Sequence, residues 1–259
     1  MRTRIGLFAV VSVLAVGAVY AQGDDERRLG VDLDATFASK YMWRGYDVLE
    51  DDPAFQPSVN FDLFQTGFSV NVWGSFALES GWEDLDELDY TIAYERSFFE
   101  EERYAIDTWV NYIYYDFPNV SSEDSDAQEL GLGVAFPSLL PVGESAVVPS
   151  YAAAYDWPFA SGGPERGWFH ILGLGYDLPI TPLLPDQEEQ AISFASDITY
   201  NDGAYGEDSC WSHATLGVST SFEWKGFALT PSVNYQWSFE DAINDEDDFW
   251  ATISVGYSF

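Results

Sequence analysis

Basic residues are scarce. The 259-residue chain carries 10 Lys+Arg against 44 Asp+Glu, a formal net charge of −34. Without a cationic footprint it has nothing to hold phosphate, which argues against a nucleic-acid partner. A single cysteine, Cys210, excludes an intramolecular disulfide and a multi-cysteine zinc site. Beyond the N-terminus no run of about 18 apolar residues occurs, so no later helix is expected to span a membrane. What the chain does have is 47% hydrophobic and 17% aromatic residues, with 19 Phe, 16 Tyr and 10 Trp. Disordered acidic chains are poor in such residues. With 21 Gly and 2 Met, the composition does not suggest a helical bundle either.

Arg2 and Arg4 precede an apolar stretch from Ile5 to Tyr20, then Ala21 and the acidic Gly23-Asp24-Asp25-Glu26. A basic start, an apolar core and a small residue at the end predict a secretory signal peptide over residues 1–21, cleaved after Ala21. Residues 22–28 are then a short periplasmic segment, and 29–259 the folded domain. An exported protein without apolar spanning helices can cross a membrane only as a closed barrel.

The closing residues Phe249 to Phe259 alternate strictly: apolar or aromatic at odd positions, small and polar at even ones after Trp250. That period of two marks a strand with two unlike faces. Twelve such segments can be placed, near 29–43, 53–64, 67–78, 87–98, 103–115, 128–137, 145–157, 167–179, 190–201, 212–224, 226–239 and 248–259. Short connections at Gln65-Thr66-Gly67, Phe99–Glu102, Ser138–Glu144 and Lys225 alternate with longer acidic ones, such as Gly45–Asp52, Asp116–Ala127 and Glu240–Asp247. The Pro-rich turn at Ile180–Glu189 is a long exception. Short turns at one end and long loops at the other predict an all-β fold, a twelve-stranded antiparallel outer-membrane barrel with periplasmic termini.

On this register the apolar faces carry one charge, Arg96, near a strand end where it can snorkel. The opposite faces carry Asp32, Asp34, Lys40, Asp62, Asp89, Glu95, Asp107, Asp156, Asp177, Asp197 and Glu223, among small Ala, Ser, Gly, Thr and Asn. Side chains that small fill a sandwich core poorly and suit a wet lumen. Aromatics gather at strand ends, as interfacial girdles do. Tyr41, Trp43, Tyr155, Trp157, Trp168, Trp237 and Phe249 fall at the long-loop end, and Phe61, Phe68, Phe136, Phe222, Trp224, Phe227 and Tyr257 at the other. Pro57, Pro149 and Pro231 lie inside strands, where each removes a ladder hydrogen bond, so bulges or register shifts are expected there.

Candidate sites follow from the faces. With Tyr41 and Trp43 toward lipid, Lys40 and Arg44 point into the barrel mouth. They are either a selectivity element or ion pairs with lumen carboxylates such as Asp107 or Asp156. The second reading is preferred, and the two are compatible. The acids Asp34, Asp62, Asp89, Glu95, Asp107, Asp156, Asp197 and Glu223 give the lumen a negative potential and predict cation preference. The loop runs Glu50-Asp51-Asp52, Ser122–Asp126 and Asp245–Asp248 match no EF-hand loop and read as solvated acidic surface, with no metal site assigned. Ser212-His213 with Glu207 and Asp208 is the best catalytic candidate, and its spacing is common by chance. His170 faces lipid on this register. No enzyme activity and no cofactor are expected.

The terminal strand with Tyr257 and Phe259 resembles the end signal by which the barrel assembly machinery recognises outer-membrane proteins. Ser39-Lys40-Tyr41-Met42-Trp43-Arg44-Gly45 is similar to the SKYxWRG opening of the TorF-type, porin-like family of proteobacterial outer-membrane proteins. Pro53-Ala54-Phe55-Gln56-Pro57 and Gly67–Ser75 resemble that family's next hairpin, so the likeness covers about residues 36–78. It implies an outer-membrane porin and supplies no catalytic residues. The sequence therefore points to a passive channel for small hydrophilic solutes or cations, partnered by outer-membrane lipid. The alternative is a non-conducting barrel with a structural or surface role through its acidic loops.

Overall fold

A computed structural model describes residues 28–185 and 187–259. The expected signal peptide over 1–21, and residues 22–27, lie outside the described residues. Twelve strands form the wall: β1 Gly30–Ala38, β2 Ala54–Asp62, β3 Phe68–Ala77, β4 Glu87–Phe98, β5 Ile106–Asp116 and β6 Ala127–Ala135. The second half comprises β7 Ser145–Pro158, β8 Gly167–Ile180, β9 Gln190–Asp202, β10 Cys210–Thr220, β11 Phe227–Ser238 and β12 Asp248–Ser258. Two short pieces, Leu140–Val142 and Phe222–Trp224, extend the hairpins at the terminal end.

Every wall strand pairs antiparallel with its sequence neighbours, and β1 also pairs β12, so the sheet is a closed ring. At the seam the Val31 amide donates to the Phe259 carbonyl at 3.1 Å, and the Phe259 amide to the Val31 carbonyl at 3.0 Å. Closure leaves no edge with unpaired backbone groups, which is what hydrocarbon requires of a spanning sheet. No helix among the described residues is long and apolar enough to cross a membrane, a statement that does not concern strands.

The period-two pattern decides which face is which. Large apolar residues point outward, as Phe37 and Ile253, 47% and 51% exposed, illustrate. Between them Asp34, Thr36 and Ser254 point inward. A one-residue slip would exchange the two faces on any strand, so the register is strongly specified. Arg96 lies on the outer face, its guanidinium 5.2 Å from the Phe98 ring.

One expectation changes. The prolines shift no register: Pro57 stands opposite Ala35, Pro149 opposite Leu174 and Pro231 opposite Ile253 in unbroken alignment. Each missing N–H interrupts only the ladder on its other side. The pairing of β2 with β3 skips Gln56 and Pro57, while the β6–β7 ladder begins after Pro149 and the β10–β11 ladder ends before Pro231. The irregularity lies instead at Thr199/Tyr200, opposite Trp211 to His213. There the extra residue turns both Ser212 and His213 inward. The Gly131 and Gly133 stretch forms β6, and a Cβ at Gly133 would stand 1.9 Å from the Trp109 ring. Glycine leaves room for that indole inside the barrel.

Candidate functional site

The first long loop, residues 39–53, folds into the barrel rather than over it. β1 ends at Ala38, and the chain makes a two-residue ribbon in which Met42 and Trp43 pair with Asp47 and Tyr46. Its tip is Arg44-Gly45, with φ of 48° and 100°. Positive φ at both central residues is the hairpin turn that matches strand twist, and it suits glycine at the second position. At the first position an arginine costs about 1–3 kcal/mol of backbone strain. Tyr205, on the loop between β9 and β10, carries the same strain with φ 62°. These two strained residues converge on one spot.

Tyr41 and Trp43 are therefore not girdle residues facing lipid. Their alternation with Lys40, Met42 and Arg44 imitates a strand, but the segment is the side of a hairpin packed inside the barrel, with Lys40, Tyr41 and Arg44 buried and Met42 and Trp43 half-buried. Tyr41 is 4% exposed, donates to Glu87 Oε2 at 2.8 Å and packs on Trp73. Trp43 lies among Tyr46, Tyr115, Phe169 and Tyr205, with ring centroids 6.3, 6.1, 5.9 and 5.3 Å away. Leu49 closes the near side against Ala54 and Trp73.

The two basic residues of the loop, Lys40 and Arg44, are paired. Arg44 bonds Glu129, approaches Asp156 at 3.7 Å, and holds its guanidinium 4.7 Å from the Phe169 ring. Glu129 also accepts from the Tyr115 hydroxyl at 2.8 Å. Burial by itself would lower the Arg44 pKa, but Glu129 and Asp156 outweigh it and the net shift is upward. Lys40 contacts Asp248 and Asp51, with Asp47 at 3.3 Å. Burial lowers its pKa too, and the bonds to Asp248 and Asp51 reverse the sign. Asp47, Asp51 and Asp248 bring oxygens within 4.8 Å of one another. The Lys40 ammonium already lies among them.

Backbone contacts finish the docking. Gln236 Nε2 donates to the Gly45 carbonyl at 2.8 Å. Gly45 rests beside His213, whose Nδ1 is 2.9 Å from Ser212 Oγ and whose Nε2 is 3.8 Å from Asp197. Ser212 Oγ also reaches the Thr199 carbonyl at 3.2 Å, and all of this is buried beneath the loop. The carboxylate facing the imidazole is thus Asp197, not Glu207 or Asp208.

The ten lumen residues singled out from sequence separate into groups. Lys40, Arg44, Asp89 and Asp156 meet at the loop end, with Asp197 beside His213. Asp34 lies midway, accepting from Thr36 at 2.8 Å. Glu95 and Asp107 are nearer the terminal end, Asp62 caps the turn at Gln65, and Glu223 lies on the exposed Phe222–Trp224 piece. Asp107 is no partner of Arg44. Glu87, Glu129 and Asp248 belong to the site as well. Each shares the inward parity of its strand, so the signal was present in the alternation. Tyr115, Phe169 and Gln236 share that parity too, but carry no charge to mark them, and Tyr205, on a loop, gave no such signal.

On most strands the inward residues are buried at the loop end and more exposed toward the terminal end, although Ala135, Ala146, Val148 and Gln190 at that end are buried as well. On β9, Ser193 and Ala195 are half-exposed while Thr199 and Asn201 are buried; on β11, Ser232 and Asn234 give way to buried Gln236. The loop fills one half of the lumen and leaves a polar vestibule in the other.

No family model matches the sequence, and no curated protein matches it. Solved structures do. The NanC porin superimposes with a TM-score of 0.52 at 8% identity, over 88% of this chain and 98% of that one. An outer-membrane channel from Pseudomonas putida F1 gives 0.50 at 10% identity, over 89% and 95%. At such identities the likeness is one of fold. With its apolar outer belt and closed antiparallel ring, the chain is a twelve-stranded barrel of the bacterial outer-membrane type.

Proposed function

We propose that the protein is a porin-like channel for passive diffusion of small hydrophilic solutes, preferring cations, with its first loop setting the conductance. The observation that carries this is the closed ring with a polar inner wall open at one end. Carboxylates outnumber bases on that wall, and a low-dielectric surround focuses their field onto what passes. Lys40 and Arg44, the two bases at the mouth, are held in ion pairs. The long loops then face outward from the cell, and both strand termini lie on the periplasmic side.

The Ser39–Gly45 and Gly67–Ser75 motifs support placing the chain with the TorF-type family. The aromatic terminus of Tyr257 and Phe259 supports recognition by the barrel assembly machinery, after export by residues 1–21. The in-folded loop favours a second reading, a non-conducting barrel whose acidic loops act at the surface. Purified protein in planar bilayers decides between them. Single-channel currents with a cation-selective reversal potential in a salt gradient are expected. Anion selectivity refutes the charge assignment, and absence of current favours the second reading.

A further inference from the structure

Glu129 and Asp156 stand directly opposite each other on β6 and β7. Like charges in that position repel across a sheet, and here their side chains are 1% and 3% exposed. The cation between them comes from the loop, not from the wall. Arg44 does not exhaust the acceptors: apart from the contact between the two carboxyl groups themselves, Asp156 Oδ1 and Oδ2 and Glu129 Oε1 are buried without a donor, as Arg44 Nε and Nη1 are without an acceptor. Buried polar atoms are almost always paired. This wall therefore offers more acceptor capacity than its tethered occupant uses.

The shape of the place is specific. Two carboxylates side by side accept a planar fork of N–H donors, and the Phe169 face lies 4.7 Å from the guanidinium carbon. Phe169 is itself fully buried and belongs to the wall, as do Tyr115 and the two acids. If the hairpin withdraws, all four remain, and the cation leaves with the loop.

We infer that Glu129, Asp156, Tyr115 and Phe169 form a binding site for the guanidinium group of a small solute, and that Arg44 is its tethered competitor. The inference deepens the channel reading by naming a solute class, and it rests on that reading only for the passage of the solute. Withdrawal of the hairpin and entry of a guanidinium cation exchange one occupant for a like one, so the acid pair is never left bare.

Titration calorimetry of the detergent-solubilised barrel with guanidinium chloride at low millimolar concentration tests it. The Arg44→Ala variant should bind saturably, roughly tenfold or more tighter than it binds tetramethylammonium, which has no N–H donors. Wild type should bind far more weakly, and Arg44→Ala combined with Glu129→Gln and Asp156→Asn should lose the preference. Equal binding of both cations by Arg44→Ala, or preference retained without the acids, overturns the proposal. If Arg44→Ala does not fold, Gly45→Ala displaces the hairpin with the wall intact and takes its place. Conductance of the same samples separates the two ideas. Binding without current refutes the channel alone, and current without preferential binding refutes the guanidinium site alone.

Discussion

Gly45 rests on the imidazole of His213 so closely that an added Cβ would stand 2.7 Å from Nδ1. Its φ of 100° would also strain any residue with a side chain. Gly45→Ala should weaken hairpin docking by about 1–3 kcal/mol. The undocked population then rises by a factor of about 5 to 150. Single-channel recording should show higher or more frequent conductance with the wall unchanged. Conductance equal to wild type contradicts a loop that limits the pore.

Trp43→Ala removes the ring at the centre of the cluster with Tyr46, Tyr115, Phe169 and Tyr205. Trp43 is half-buried, so the cost should fall near the lower end of the Trp→Ala range, about 3 kcal/mol. That loss falls on loop docking and not on the strand ladder. Trypsin should therefore cut after Lys40 and Arg44 in the variant and spare both in wild type. The heat-modifiable gel shift of the folded barrel should stay in place.

Lys40 is held protonated by its carboxylates, with a pKa raised above the ordinary lysine value of 10.5. A raised basic pKa stabilises the folded state fully below the unfolded value and loses that contribution as pH climbs through the folded one. The tie to Asp248 should thus hold across neutral and mildly alkaline pH and fail only above about 10.5. Conductance measured against pH should step up there in wild type. Lys40→Met should be raised already at neutral pH and lack that step.

Removing Phe259 deletes two backbone hydrogen bonds at the seam and a ring 5.6 Å from Tyr257. At about 1 kcal/mol for each bond, the unfolding midpoint on heat-modifiable gels should drop by roughly 5 °C. If the terminal aromatic is also an assembly signal, folded yield in the outer membrane should fall by more than in-vitro refolding yield does.

The wall was legible because alternation is written into each strand. The segment read at 87–98 is β4, Glu87–Phe98, and most other ends agree within a few residues. The first strand was read through to 43 and stops at Ala38. From Lys40 onward, apolar and charged residues still alternate. Period two reports only that neighbours point to opposite sides, not whether those sides are lipid and water or two walls of one interior. The prolines misled for a related reason: a missing N–H was taken to need a bulge, and a gap in one ladder sufficed. The bulge at Ser212-His213 and the strain at Tyr205 arise from tertiary fit and have no local signature.

Lys40 and Asp248 are 208 positions apart in the chain, yet they touch across the junction of the first and last strands. Such a bond cannot exist in a sheet that is still open at that junction. The loop is thus anchored to whichever strand arrives last, and its docking registers that the ring is complete. A barrel caught before closure would have a loose mouth as well as an open side. A cross-link between positions 40 and 248 would mark finished molecules and no others.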